Sequence, residues 1–461
     1  MSTATGFDPD LITRYDKSGP RYTSYPTALS FTPAFTEADY QRHAIESHQA
    51  ATPLSLYVHI PFCDTICYYC ACNKISTKDR SKADRYLDYL GREITLQSAL
   101  FDAARPVEQL HFGGGTPTFL TVDQMQSLIK MLGQHFQLLD RDQGEYSIEI
   151  DPRSVTPDTI KSLRDLGFTR FSLGVQDVNP YVQKAINRIQ PASMNRQIFE
   201  ACRDFGAKSI SMDLIYGLPL QTRETFAATL DEIISMSPDR LSVFNYAHMP
   251  AVFRTQRRIR EADLPTPQVR LEILDMAIQR LTEAGYVYIG MDHFAKPDDE
   301  LSQALRDGSL HRNFQGYTTH ADCDLIGLGV SSIGSVCGAY SQNEKSLLAY
   351  YAEIDAGSLP IARGLSLTAD DRLRRTIIQQ LACQFQLDMR ALPMAPEIDV
   401  TDYFAEELHQ LQALQEDGLV RCDEGLVQVT PRGRFLIRNI CMVFDRRLRE
   451  QQGPARYSKV I

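Results

Sequence analysis

The sequence predicts an α/β protein: a partial (β/α)6 barrel preceded by an N-terminal arm and followed by a smaller, mostly helical, winged-helix-like C-terminal domain. Three observations carry this. From residue 55 onward, short runs rich in β-branched and aromatic residues alternate with amphipathic stretches, the pattern of βαβ units. Nearly every run ends at a polar or glycine feature. After about residue 365 the rhythm changes to helices and one hairpin.

Residues 1–50 are polar and punctuated by proline and tyrosine (SGPRYTSYPTALSFTP), which predicts an extended arm leading into a short helix and packing near a site. Strands are predicted in SLYVHIPF, EQLHF, YSIEI, FSLGV, SISMDLIY and RLSVFNYA, with helices such as SKADRYLDYLGREITLQSAL and TVDQMQSLIKMLGQHF between them. Parallel strands need crossover connections, and this spacing supplies them. An open doubly wound sheet is the competing architecture. The strand ends favour a barrel: Cys63, Gly113 to Gly115, Glu149, Gln176, Asp213 and Asn245 stand where barrels assemble their sites. Residues 51–364 are therefore expected to form the catalytic barrel with a C-terminal extension. Residues 365–461 are expected to form the helical domain, its wing being the hairpin GLVRCDEGLVQVT around Asp-Glu-Gly.

The chain has 461 residues and 52.1 kDa, more than a single domain of ~100–200 residues. Hydrophobic residues at 43% and charged residues at 23% allow a sizeable core. Forty-eight basic against 58 acidic side chains give a net charge of −10, which speaks against wholesale binding to nucleic acid or anionic membrane. No run approaches the ~20 apolar residues of a membrane span. The N-terminus has no secretory pattern, so the expectation is a cytoplasmic chain with reduced cysteines.

Four of the ten cysteines, Cys63, Cys67, Cys70 and Cys72, fall within PFCDTICYYCAC, directly after an apolar strand. Structural zinc usually takes two ligand pairs separated by a longer loop, and no second pair follows. A disulfide does not suit a reducing compartment, and a thioredoxin-like site needs only one Cys-x-x-Cys. The remaining reading is an iron-sulfur cluster held by soft thiolates. Three thiolates on a 4Fe-4S cluster leave one iron open for chemistry. Cys72, two residues beyond Cys70, is read as a non-ligand with an open role, although spacing alone does not separate the two. The other six cysteines are expected to be small packing residues.

This three-cysteine spacing resembles the signature of the radical S-adenosylmethionine (SAM) enzymes. The fuller set SLYVHIPFCDTICYYCACNK, HFGGGTPT, IEIDPR, GVQD, AINR, MDLIYGLP, FNYAH, GMDHFA and HRNFQGYTT resembles the oxygen-independent coproporphyrinogen III dehydrogenases, from RYTSYPTA to YSKVI. Tyr69 and Ala71 stand where members often carry Phe and Gly. The resemblance implies a radical-SAM barrel with one 4Fe-4S cluster on Cys63, Cys67 and Cys70 and two molecules of SAM. By motif match, Tyr57, Gly114, Glu149, Ala247 and Ile333 would hold the first SAM. Tyr69, Gly115, Thr116, Gln176, Arg188 and Asp213 would hold the second, with Arg188 suited to clamp a carboxylate. Taken singly, these residues also fit ordinary turn, core or surface roles. His59, His111, His248 and His293 are read as structural. No Gly-x-Ser-x-Gly elbow, helical zinc pair or P-loop appears.

The implied activity belongs to haem biosynthesis: anaerobic oxidative decarboxylation of two propionates of coproporphyrinogen III to vinyl groups, giving protoporphyrinogen IX, through a 5'-deoxyadenosyl radical that abstracts the propionate β hydrogen. A low-potential electron donor and a monomeric state are part of the same expectation. Because the substrate is anionic and the chain net negative, local cations are needed. Arg21 and Arg312, with Arg153, are the candidate propionate contacts. A haem-binding carrier of the same superfamily without decarboxylase activity is the alternative.

Overall fold

A computed structural model describes residues 8–50, 52–140, 142–395, 397–450 and 457. The first seven residues of the predicted arm and the last four of YSKVI lie outside the described residues. The six predicted strands form as β1 (Leu54–Ile60), β2 (Pro106–Gly114), β3 (Glu145–Ile150), β4 (Arg170–Gln176), β5 (Ser209–Tyr216) and β6 (Arg240–Asn245). They are parallel and side by side in sequence order. Helices α1 (Ser81–Ser98), α2 (Val122–His135), α3 (Pro157–Asp165), α4 (Ala192–Asp204) and α5 (Arg223–Met236) follow the first five strands.

Each strand alternates, and the alternation builds the barrel. Leu56, Val58, Ile60, Leu110, Phe112, Ile148, Leu173, Ile210, Met212 and Leu214 are buried in the main core. The intervening positions Gln109, His111, Ser147, Glu149, Ser172, Ser211, Asp213 and Ser242 line a polar interior cavity of about 280 Å³. Helix starts are fixed beside the strand ends by capping boxes at Thr121, Thr156 and Thr222, each worth ~1 kcal/mol.

The sheet continues past both edges of the six strands. β7 (Val287–Gly290) and β8 (His293–Ala295) add antiparallel strands beyond β6. On the other side β9 (Asp324–Leu328) is a seventh parallel strand beside β1, followed by the antiparallel β10 (Ile333–Val336), β11 (Ala339–Asn343) and β12 (Ile361–Ser366). The curled sheet is therefore open.

A second core joins α6 (Ala369–Gln384), α7 (Ala405–Glu416) and α8 (Ile437–Val443) through Ile377, Leu381, Phe404, Leu411, Leu436, Ile440 and Phe444. Leu11, Ile12, Tyr22 and Tyr25 of the arm belong to this core. Arg438 donates to Pro20 O (2.9 Å) and Gly19 O (2.5 Å), and Tyr22 donates to Asp445 (2.9 Å). The predicted hairpin is present as Val420–Asp423 and Leu426–Val429, turning at Glu424 and Gly425 with φ of 44° and 84°. Two positive φ values match a tight turn that suits strand twist. Gln386–Asp388 adds a third strand. Of the six cysteines expected to pack, Cys202, Cys383 and Cys441 are buried, whereas Cys323 and Cys337 are half-buried and Cys422 is exposed on the hairpin. Hairpin strands have an outer face, which a packing assignment overlooks. Among the described residues no helix is long and apolar enough to cross a membrane.

Candidate active site

The cysteine loop leaves β1 and is tied down on several sides. Phe62 and Cys63 pair with Ile75 and Ser76, closing the loop at its base. Tyr68 N–H donates to Ile186 O (2.9 Å), Asn187 to Ile66 O (2.8 Å) and Gln256 to Tyr69 O (2.9 Å). Asn187 takes φ 55°, a left-handed conformation asparagine tolerates better than most residues. The AINR segment thereby becomes a support for the loop.

Cys63, Cys67, Cys70 and Cys72 line one cavity of about 250 Å³ at the C-terminal ends of the parallel strands. Arg153 and Arg188 bring guanidinium nitrogens to 3.5 and 3.6 Å from the Cys67 sulfur. Thr116 donates to the Cys63 sulfur (3.4 Å). The Cys70 thiol is drawn down to about 6 by a hydrogen bond from Cys72 and then by the Lys74 ammonium, while burial pushes Cys63 up to about 11. Three soft donors on one short loop, faced by two guanidinium groups that offset thiolate charge, fit an iron-sulfur cluster.

The same cavity gathers Tyr69, Gly114, Gly115, Thr116, Glu149, Gln176, Arg188 and Asp213. Gly114 has φ 117°, and a Cβ there would meet the His59 ring at 2.8 Å, so only glycine fits. Its N–H donates to Glu149 (3.2 Å). Gln176 is held at φ 69° where the β4–β5 register shifts, a strained conformation of the kind found at ligand sites. Asp213 accepts from Ser172 (2.9 Å), and burial followed by the charge of Glu149 raises it to about 6. Arg188 is buried, bonded to Asp151 (3.1 Å) and Gly174 O (2.6 Å), with its Nε unpartnered. It is not a solvated surface arginine.

Tyr57 and Ile333 line an adjoining cavity of about 310 Å³ that shares Cys72, Gly114 and Glu149 with the first. Tyr57 stacks on His111 (5.8 Å between centroids) and shares a hydrogen bond with His59 (3.1 Å). Ala247 lies in neither. It lines a third cavity with Arg21, whose guanidinium donates to Asn245 O (3.2 Å) at the end of β6 and pairs with Asp292 (3.3 Å). Arg153 is paired with Asp151. Arg312 is set apart: buried, 4.7 Å from the Tyr317 ring centre, with Nε and Nη1 unpartnered, it lines a cavity beside Ser55 and Asp324 at the strand starts.

Sequence reasoning did not single out Asp151, which joins Arg153 to Arg188, or Gln256, which bonds both Tyr69 O and Ala247 O. For Asp151 a signal existed, an acid directly after a strand in IEIDPR. Gln256 sits in the short 3-10 helix Arg254–Arg258, whose sequence RTQRR gives none.

A thiol-rich loop at the top of an open parallel barrel, facing a polar cavity, defines the class. The family model for the radical SAM superfamily matches residues 57–233, and that for the HemN C-terminal domain matches residues 367–436. The oxygen-independent coproporphyrinogen III oxidase of Pseudomonas aeruginosa is 53% identical, covering 99% of both chains. That of Escherichia coli K12 is 50% identical, covering 99% of this chain and 98% of its own. The solved structure described as coproporphyrinogen III oxidase (HemN) from Escherichia coli, a radical SAM enzyme, superposes with a TM-score of 0.91 at 49% identity over 96% of this chain and 99% of its own. The chain belongs to the radical SAM superfamily and, within it, to the oxygen-independent coproporphyrinogen III oxidases.

Proposed function

We propose that this chain converts two propionate side chains of coproporphyrinogen III to vinyl groups by anaerobic oxidative decarboxylation, giving protoporphyrinogen IX. The observation that carries the reading is the cavity that unites three thiols with Glu149, Gln176, Arg188 and Asp213. The β C–H bond of a propionate is not acidic, so a tuned side-chain base gives no useful rate. A 4Fe-4S cluster on Cys63, Cys67 and Cys70, together with SAM, supplies hydrogen-atom abstraction from such an unactivated carbon.

The protein's own residues bind, orient and shield. Arg153 and Arg188 counter thiolate charge at Cys67, and Cys72 supports the Cys70 thiolate from beside it. Gly114 and Glu149 form the wall common to two cavities, which supports two SAM molecules. Tyr57, Gly114, Glu149 and Ile333, with Ala247 farther off, suit one. Tyr69, Gly115, Thr116, Gln176, Arg188 and Asp213 suit the other. Arg21 is the propionate contact we favour at the mouth, because the arm carries it to the end of β6. Arg312 suits a propionate less directly, since it lines a cavity at the opposite strand ends. The second core and the family match over residues 367–436 support a division into an arm (1–50), a barrel (51–364) and a helical domain (365–461) that holds the arm.

The test is anaerobic incubation with SAM, a low-potential reductant and coproporphyrinogen III. A product bearing two vinyl groups is expected, and tight haem binding without turnover would sink the reading. Arg21→Ala should raise KM for the porphyrinogen while leaving SAM affinity unchanged.

A further inference from the structure

The opposite end of the barrel carries a second set of metal-type donors. Glu108 is the third residue of β2, and Cys323 directly precedes β9. Between these strands runs β1, whose first residue Leu54 pairs with both Val107 and Asp324. His320 reaches the same point from the loop that follows the short strand Gly316–Thr318. One donor atom each from Glu108, His320 and Cys323 lies within 4.8 Å of the other two.

The separations are close to those a bound ion imposes. Zinc bonds of ~2.0–2.3 Å in tetrahedral geometry hold donor atoms roughly 3.3–3.7 Å apart. Here His320 Nδ1 stands 3.5 Å from Glu108 Oε2, and Cys323 Sγ stands 4.0 Å from the same oxygen. The far ring nitrogen of His320 faces Glu145 Oε2 at 3.9 Å. That distance is longer than a hydrogen bond, so Glu145 is a charged neighbour on the outer side of the ring and not a partner that fixes it. Glu145 is itself paired with Arg170 (3.1 Å), so its charge does not add to that of the ligands. The loop is already held: His320 N–H donates to Thr318 Oγ1 (3.1 Å), and Gln109 donates to the same hydroxyl (3.2 Å). His320 and Cys323 also line a cavity of about 450 Å³ that offers an entry path and room for a water as fourth ligand.

We propose that Glu108, His320 and Cys323 form a binding site for one divalent borderline-soft cation, of which zinc is the best match. One carboxylate and one thiolate balance the dication. The mixed nitrogen, sulfur and oxygen set disfavours calcium and magnesium, which take all-oxygen shells. Bound there, the ion ties β2 to β9 across the start of β1. Its role is a structural stitch at the end of the strands remote from the cysteine loop.

The test uses the full chain purified anaerobically with its cluster in place, stripped by a mild chelator and then dialysed against zinc. One zinc per chain is expected above the cluster iron and sulfide. Cobalt(II) should give a thiolate-to-cobalt band in the difference spectrum. Cys323→Ser should abolish that band, and His320→Ala and Glu108→Gln should each weaken zinc binding at least tenfold, all three with iron content unchanged. Iron content also reports whether each variant folds. Absence of zinc uptake, or uptake and a cobalt band that persist in Cys323→Ser, would overturn the assignment.

Discussion

At the cysteine loop the charged groups face a cavity; in the C-terminal core they face one another. Arg188 keeps an unpartnered Nε and touches a thiol, and Asp213 sits high in its titration range beside Glu149. Arg374, by contrast, is buried with Asp370 (3.0 Å) and Glu407 (2.7 Å), and Glu407 accepts again from Arg449 (2.5 Å). Buried charge is costly unless it is fully paired. The first region leaves that pairing incomplete, as a site awaiting ligands requires. The second completes it and gains a fixed platform for the arm.

The sharpest way to break this contrast is to remove a thiol. Cys63→Ala, Cys67→Ala or Cys70→Ala should each abolish the iron-sulfur absorption and all turnover while the chain stays folded. Cys72→Ala should keep the cluster and slow turnover, because its hydrogen bond assists the Cys70 thiolate without being a ligand itself. Iron and sulfide analysis of the four variants decides the matter, and cluster loss in Cys72→Ala would refute the three-ligand assignment.

Arg374→Ala should act in the opposite sense, on stability rather than chemistry. Glu407 would keep Arg449 but lose one of its two guanidinium partners, and losing a charge-assisted bond in a buried network costs ~2–3 kcal/mol, to be read by denaturant unfolding of the C-terminal region. Arg438→Ala removes two bonds to arm carbonyls and should cost less, ~1–3 kcal/mol. Its readout is limited proteolysis near Gly19 and Pro20 together with a raised KM for the porphyrinogen. An arm that remains protected in this variant would show that its remaining ties, the apolar contacts of Leu11, Ile12 and Tyr25 together with the Tyr22–Asp445 bond, suffice to hold it.

How much of this was legible in the sequence follows from how local each feature is. The six strands were readable because each is a short run whose outward residues must be apolar. The cysteine loop was readable because ligands to one small cluster must be close in sequence. β9 was not: DLIGL is buried at all five positions, so no alternation marks it, and its partner on one side is β1, far away in sequence. The Arg153–Asp151–Arg188 arrangement was likewise hidden, since it joins residues on two different strand-end loops. Arg312 was picked as a propionate contact from its motif alone, and in the structure it lines the cavity beside Ser55 and Asp324 at the strand starts. The hairpin turn was legible at Gly425, but the outward face of Cys422 depends on strand parity. Sequence pattern reports burial along one element and is silent on which loops meet.

The smallest expected effect separates the cavity from the core by pH. Asp213 is raised from its ordinary 3.8 to about 6, by burial first and by Glu149 second. A carboxyl whose folded pKa exceeds its unfolded value binds its proton more tightly in the native state. Its contribution is fully present below about pH 4 and is lost as pH rises through about 6. Asp213→Asn, which stays neutral, should therefore lose less stability than the parent between pH 4 and 7.5. The difference is ~1–2 kcal/mol, since water reaching the cavity screens part of the shift. Glu93, buried in the core and raised to about 7, slopes in the same direction in both proteins and cancels in the comparison. Thermal unfolding of the two at a series of pH values, without SAM, is the measurement. Parallel profiles would mean that Asp213 is already ionised in the folded chain, and the cavity would then be better solvated than its lining suggests.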